Sequence, residues 1–170
     1  MQDIAAPWSV PVAVEDIPDT GLHVVIEAPA EVRAAVAKLA DVRDLPQLSA
    51  EFDLVREGAG AAVSGHVRAR VGQTCVVTLD PLENAIDEPV DLLFSAVPDK
   101  AASSGETGEE PEKLVDGRID LGALATEFLI LAIDPYPRKP GAQFASPPSA
   151  EAGERPFAAL AELKKRFRAS

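Results

Sequence analysis

The sequence predicts an α+β fold in which an antiparallel, curved or partly closed β-meander packs against flanking helices. Three observations support this prediction. Apolar and polar residues alternate along neighbouring segments in the middle of the chain, which is typical of half-buried strands. Turn residues such as glycine, proline and aspartate separate these segments. Other segments carry apolar residues at helical spacing.

The first part of the chain predicts two strands and a helix. Trp8–Val14 alternates weakly, and Pro11 favours an edge position for it. Leu22–Glu27 is rich in β-branched residues and predicts a second strand. Pro29 suits the first turn of a helix that we expect to reach Val42 and to end before Leu45-Pro46. Its buried side is expected to comprise Val32, Ala35, Val36 and Leu39.

The meander itself is predicted from the next 50 residues. Leu48–Leu54 and Val63–Val71 alternate strictly, and the glycines of Glu57–Gly60 between them suit a hairpin turn. Thr74–Leu79 is expected to continue as a third strand that ends at Asp80-Pro81. Pro89–Val97 predicts a further strand.

Composition divides the chain into a domain and its extensions. Residues 1–134 are expected to form a single α+β domain, interrupted at 99–113 by a flexible acidic loop that is too polar to bury. Residues 135–156 contain many prolines and should be extended. Residues 157–170 predict a short amphipathic helix with a basic tip.

A second helix is predicted immediately before the proline-rich segment. Asp120 is a good N-cap, because its carboxylate can accept hydrogen bonds from the free N–H groups of the first turn. Pro135 cannot continue a helix and marks its end. The buried face is expected to comprise Leu121, Leu124, Ala125, Phe128, Leu129 and Ala132.

The opposite side of this helix is the candidate partner-binding surface. Asp120, Glu127 and Asp134 are spaced seven residues apart, which predicts an acidic stripe that drifts by only about 20° per step. Ala123, Ile130 and Leu131 would lie beside it. Two interpretations stay open here: a docking face, or the exposed edge of an ordinary core helix. The predicted partner-binding residues are Asp120, Glu127, Ile130 and Asp134.

The net charge of −12 bears on the class of partner. Residues 157–170 contribute +3, so residues 1–156 carry −15. Such a surface repels phosphate backbones, because nucleic-acid affinity depends on cationic contacts. A basic protein is therefore the expected partner, direct RNA binding is disfavoured, and DNA is not expected. The basic cluster either stabilises a helix C-terminus or makes a local phosphate contact; it comprises Lys164, Lys165, Arg166 and Arg168.

No residue pattern predicts a catalytic, metal or cofactor site. His23 and His66 stand apart in strand-like segments, without the spacing of metal ligands. The single cysteine, Cys75, is expected to be a buried apolar residue with an inert thiol. Arg68 and Arg70 form either a second small basic patch or a solvated strand face.

Three segments together resemble a known family. They read GHVRARVGQTCVVTLDPLENAIDEPVDLLF from Gly65, VDGRIDLGALATEFLILAIDPYP from Val115 and PFAALAELKKR from Pro156. These are similar to the YceD family, which is associated in bacteria with accumulation of large-subunit ribosomal RNA. Many members of that family carry C-x-x-C where this chain has Cys75-Val76-Val77-Thr78.

The resemblance implies a process, and the charge pattern implies a mode of action. We expect a non-enzymatic factor in large-subunit biogenesis and 23S rRNA accumulation that binds a basic ribosomal protein or assembly factor. The alternative is an acidic adaptor or inhibitor unrelated to ribosomes. No apolar run reaches the length of a membrane span, and the start of the sequence does not resemble a signal peptide, so a cytoplasmic location is expected.

Overall fold

The computed structural model describes residues 6–96 and 111–144. The chain divides into two compact units, Met1–Lys139 and Pro140–Ser170, and the helices and strands that the structure describes all lie in the first. Most of the predicted acidic loop, part of the proline-rich segment and all of the predicted C-terminal helix lie outside the described residues.

The described residues form seven strands and two α-helices. In chain order these are β1 (Pro11–Ala13), β2 (Leu22–Glu27), α1 (Ala30–Leu39), β3 (Asp44–Glu57), β4 (Gly60–Thr74), β5 (Pro81–Ser95), β6 (Glu112–Lys113), β7 (Arg118–Asp120) and α2 (Leu121–Ala132). A single 3₁₀ turn, Val14–Asp16, follows β1.

The main sheet has five strands in the order β2-β3-β4-β5-β6. Neighbouring strands from β2 to β5 are antiparallel, and β6 pairs in parallel with the end of β5. β1 and β7 form a separate antiparallel pair. The sheet is partly curled and does not close, so the predicted α+β fold with an antiparallel meander is confirmed.

The core lies on the face of the sheet that the alternation predicted. Inward-facing residues of β3 and β4 are adjacent in the register, as Ala50 and Val67 show. Burying these side chains removes apolar surface from water, which is the main driving force for packing the sheet. The buried residues of the two strands include Leu48, Ala50, Phe52, Leu54, Val63, Val67, Ala69 and Val71.

The two helices pack on different strands. α1 contacts β3, whereas α2 contacts β4, β5 and β1. α1 is shorter than predicted, and Val36 and Ala37 are its buried residues, whereas Ala35 is exposed. Leu39, at the last position of α1, is 51% exposed, which corrects its predicted place in the core.

Strand boundaries differ from the prediction around two prolines. β4 ends at Thr74, and the following residues form a turn in which Leu79 adopts a positive φ of 62°. β5 begins at Pro81, eight residues before its predicted start at Pro89. Both prolines are tolerated because, among the described residues, β5 has a partner on its second edge only at Phe94 and Ser95.

Candidate functional site

Asp120 caps α2 and also anchors the N-terminal segment. One carboxylate oxygen accepts hydrogen bonds from the backbone N–H groups of Gly122 and Ala123, each at 3.1 Å, and from that of Val10 at 2.8 Å. The other accepts the Ser9 hydroxyl at 2.6 Å. Partial burial alone would raise the pKa of Asp120, but these four hydrogen bonds outweigh it and lower the pKa. The predicted N-cap is confirmed, and its negative charge is satisfied within the protein.

The inner face of α2 matches its predicted core side. Leu121, Leu124, Ala125 and Leu129 are buried, and Phe128 and Ala132 are partly buried. Gly122 allows the N-terminal segment to pass close by, because a Cβ atom there would lie 2.9 Å from the backbone of Trp8. The buried Thr126 donates its hydroxyl to the Gly122 carbonyl oxygen at 2.9 Å.

The outer face of α2 lines an apolar depression of about 340 Å³, which we call the α2 groove. Leu131 is 75% exposed and Ile130 is 38% exposed, so two large apolar side chains face solvent beside each other. Among the lining residues that the structure describes, Glu127 is the single charged one. The lining comprises Ala6, Pro7, Leu39, Ala123, Thr126, Glu127, Ile130 and Leu131.

Asp134 lies outside this groove. α2 ends at Ala132, and Ile133 has extended backbone angles, so the sevenfold helical spacing does not reach Asp134. Its carboxylate accepts the Tyr136 N–H at 2.8 Å, and its carbonyl oxygen accepts the Gln73 side-chain amide at 2.8 Å. It lines a separate cleft of about 630 Å³ that also includes Arg43.

The three predicted acidic residues therefore do not all share one surface depression. Asp120 and Glu127 both line a shallow cleft of about 380 Å³, while Glu127 and Ile130 line the α2 groove. Asp134 belongs to the separate cleft beyond the helix. The partner-binding role of Asp120, Glu127, Ile130 and Asp134 stays a prediction, with Glu127 and Ile130 its best-placed members. The predicted phosphate-contact residues Lys164, Lys165, Arg166 and Arg168 lie outside the described residues.

The outer face of the sheet carries a continuous network of ion pairs that crosses four strands. Arg68 bridges Glu51 at 3.2 Å and Asp87 at 3.3 Å. His23 contacts Glu51 at 3.6 Å and Asp53 at 2.8 Å, and His66 contacts Asp87 at 2.8 Å. The hydrogen bond with Asp53 is the main reason that the pKa of His23 is raised. Similarly, the hydrogen bond with His66 lowers the pKa of Asp87.

Ion pairs on this face bear on the two interpretations of Arg68 and Arg70. Arg70 pairs with Glu83 at 2.8 Å, so both arginines have carboxylate partners. A phosphate ligand would have to compete with these carboxylates. The pairing therefore favours the interpretation of these two arginines as a solvated strand face over that of a basic patch.

Cys75 joins the turn after β4 to the segment that follows α2. It is buried, as predicted, but it lies in a turn and not in a strand. Its sulfur accepts hydrogen bonds from the backbone N–H groups of Lys139 at 3.4 Å and Thr78 at 3.5 Å. These bonds, the first above all, lower the pKa of Cys75 to about 6. The thiol is thus electrostatically perturbed, a feature that the expectation of an inert apolar residue missed.

Two features of this region had no usable signal in the sequence. Leu39 was predicted to be in the core because it continues the apolar spacing of α1, and nothing local indicated that α1 would end beside the α2 groove. The contact between Cys75 and Lys139 joins residues 64 positions apart, which periodicity does not reveal.

Within the described residues, no group of three or more histidine, cysteine, aspartate or glutamate side chains is arranged to hold a metal ion.

A comparison of the sequence with models of known protein families identifies its family. The model of the family described as large ribosomal RNA subunit accumulation protein YceD matches residues 63–164, which is more than half of the chain. No curated protein and no solved structure matches the chain significantly. In the described part of the chain, neither helix is long and apolar enough to cross a membrane. The family match runs from β4 through both the Cys75 turn and α2, and on this basis the chain belongs to the YceD family.

Proposed function

We propose that this protein is a non-enzymatic factor in large ribosomal subunit biogenesis that binds a basic ribosomal protein or assembly factor through the α2 groove. Membership of the YceD family indicates a role in large ribosomal RNA subunit accumulation. The proposal adds the mode of action, namely that RNA levels are supported through a protein partner. The proposal also includes a location in the cytoplasm, where bacterial ribosomes assemble.

The α2 groove is the observation that carries the proposed mode. Ile130 and Leu131 expose apolar surface next to Glu127, and Leu39 extends that surface from α1. Adjoining exposed apolar side chains bordered by charge are typical of protein-binding sites. Glu127 would attract a basic partner and fix its orientation, while the apolar residues would supply most of the binding free energy.

The charge distribution supports a basic protein over naked RNA as the direct partner. The chain carries a net charge of −12. Of the described cations on the sheet, Arg68 and Arg70 are already paired with carboxylates. Binding to RNA requires several unpaired cations that replace condensed counterions along the phosphates. The same acidic surface would instead speed association with a basic protein.

A capture experiment with and without nuclease tests this function. The tagged protein is incubated in bacterial lysate at physiological salt, and the bound proteins are identified by mass spectrometry. The proposal predicts basic large-subunit proteins or assembly factors that remain bound after ribonuclease treatment. Loss of all ribosomal proteins after ribonuclease would contradict a direct protein contact. Capture of clients unrelated to ribosomes would support the adaptor alternative instead.

A further inference from the structure

The α2 groove adjoins the cleft that contains Asp134, which we call the Asp134 cleft. On the α1 side, the lining of the groove includes Leu39, and the lining of the cleft begins at the next residue, Ala40. On the α2 side, the groove includes Leu131 and the cleft begins at Ile133. Because both walls pass from one depression to the other within two residues, the two depressions form one continuous surface beside the C-terminal ends of both helices.

Three carboxylates line this surface without a cationic partner in the described part of the chain. Glu127 lines the α2 groove, Asp41 and Asp134 line the Asp134 cleft, and all three are exposed. The ion pairs among residues 6–96 and 111–144 include none of them. The single described cation that lines either depression, Arg43, pairs with Asp44 at 2.8 Å. The surface is therefore negative, and its carboxylates differ from those of the sheet network, which already pair with cations.

Asp41 occupies the position after α1 at which glycine is usually preferred. Its φ is 52°, and the next N–H, that of Val42, donates to the Ala37 carbonyl oxygen at 3.0 Å, as in a Schellman motif. The turn needs a residue that tolerates a positive φ, but it does not need a charge. The carboxylate of Asp41 is thus available to a ligand, and asparagine can replace it without changing the turn.

We infer that this surface binds a short segment of the partner in which an apolar side chain has a lysine or arginine on each side. The inference rests on the proposed function, because it specifies the segment that the basic partner presents to the α2 groove. The apolar side chain contacts Ile130 and Leu131. One flanking cation pairs with Glu127, and the other pairs with Asp41 or Asp134. The rise per residue places Glu127 on the order of 10–15 Å from Asp134, which an extended peptide covers with about four or five residues.

The cleft on the other side of Glu127 is unsuited to such a segment. Its lining includes Lys113 and Arg118, which would repel the cations of the partner. The carboxylate of Asp120, which also lines it, already accepts four hydrogen bonds from within the protein. The segment is therefore expected to run from Glu127 toward Asp134 and not toward Asp120.

Selection from a random peptide library tests the chemistry of the segment. Phage that display short random peptides are selected on the immobilised full-length protein, and the enriched peptides are synthesised with a fluorescent label. We expect them to share an apolar residue flanked by lysine or arginine. Leu131→Asp should weaken their binding at least about tenfold in fluorescence anisotropy, because it removes the apolar contact. Enrichment of acidic or purely apolar peptides, or of none, would overturn the inference, as would unchanged binding to Leu131→Asp.

A double variant without the two aspartate charges tests the extension into the Asp134 cleft. Asp41→Asn combined with Asp134→Asn should bind the peptides at least about fivefold more weakly. Its binding should also depend less on salt concentration, an effect that a purely structural change would not produce. The matched control combines Asp91→Asn with Asp116→Asn, because both aspartates are exposed and line neither depression. Asp116 also resembles Asp41 in its φ of 51°, and this control should bind like the wild type.

The outcomes separate this inference from the proposed function. If the Asp41→Asn and Asp134→Asn double variant binds the peptides as tightly as the wild type, with the same salt dependence, the inference is wrong. Capture of ribosomal proteins from lysate would then be unaffected. If the peptides bind as expected but lysate capture yields no ribosomal or assembly protein, the proposed function is wrong and the inferred binding chemistry is supported.

Discussion

The sulfur of Cys75 accepts a hydrogen bond from the backbone N–H of Lys139, 64 residues further along the chain, at a distance of 3.4 Å. Two other bonds run in parallel with it. The Val76 N–H donates to the Pro137 carbonyl oxygen at 3.0 Å, and the Lys139 ammonium group pairs with Asp80 at 3.2 Å. These three contacts therefore connect the turn after β4 to the segment after α2, and the Cys75 thiol makes one of them.

Replacing this thiol should weaken the contact between the turn after β4 and the segment after α2. Cys75→Ala removes the acceptor, so the partly buried N–H groups of Lys139 and Thr78 lose this hydrogen-bond partner. We expect a fall of about 5 °C in the melting temperature. Cys75→Ser keeps a smaller acceptor atom and should lower the melting temperature less. Equal melting temperatures for the wild type and Cys75→Ala would show that the sulfur contributes nothing to this contact.

The lowered pKa of Cys75 also predicts a dependence of stability on pH. Its folded pKa is about 6, whereas the pKa of an unfolded cysteine is about 8.5. The stabilising contribution of the thiolate is complete above the unfolded pKa and is lost as the pH falls through the folded pKa. The melting temperature of the wild type relative to Cys75→Ser should therefore rise between pH 6 and pH 8.5. A constant difference across this range would contradict a native thiolate.

Asp120 should stabilise the protein in two ways, by capping α2 and by holding the N-terminal segment at Ser9 and Val10. Asp120→Ala removes the cap of α2 and the bonds to Ser9 and Val10, and we expect it to cost about 2–3 kcal/mol. Asp120→Asn retains an acceptor oxygen for the helix N–H groups and should cost less than half as much. Urea unfolding measures both values. Equal losses for the two variants would argue against the capping role.

Binding to naked ribosomal RNA should be weak at physiological salt. The net charge of −12 opposes it, and a phosphate would have to compete with the carboxylates that already pair with Arg68 and Arg70. Fluorescence anisotropy with labelled large-subunit RNA fragments should give dissociation constants above about 1 µM. A basic large-subunit protein serves as the positive ligand. Nanomolar affinity for naked RNA would contradict the proposed mode.

Much of the meander was predictable because its determinants are local. Leu22–Glu27 forms the predicted strand, and the hairpin closes at the predicted glycines, with Glu57 paired to Gly60. The start of β5 was not predictable, since Pro81 and Pro89 normally interrupt strands, and whether a proline faces an open edge depends on the whole sheet. Strands β6 and β7 have only two and three residues, too few for periodicity to reveal.

The candidate site was predictable only in part, for a similar reason. The cap at Asp120 and the exposure of Glu127 follow from spacing along one helix. Asp134 is separated from these two residues because α2 ends at Ala132. A helix two residues longer would have placed Asp134 on the same stripe. Leu39 reaches the α2 groove because α1 ends there, and only the tertiary fold places those helices together.

The α2 groove offers matched variants for the central claim. Glu127→Lys reverses its charged residue, and Leu131→Asp removes exposed apolar surface. Both residues are exposed, so the free energy of unfolding should change by no more than about 0.5 kcal/mol. Glu57→Lys and Leu79→Asp make the same changes at exposed residues outside the groove.

The most direct test is nuclease-resistant capture of basic ribosomal or assembly proteins by these four variants and the wild type. The proposal predicts that Glu127→Lys and Leu131→Asp lose the partner while melting like the wild type, and that Glu57→Lys and Leu79→Asp retain it. Stable Glu127→Lys and Leu131→Asp variants that still capture the partner at the wild-type level would contradict the proposed role of the α2 groove.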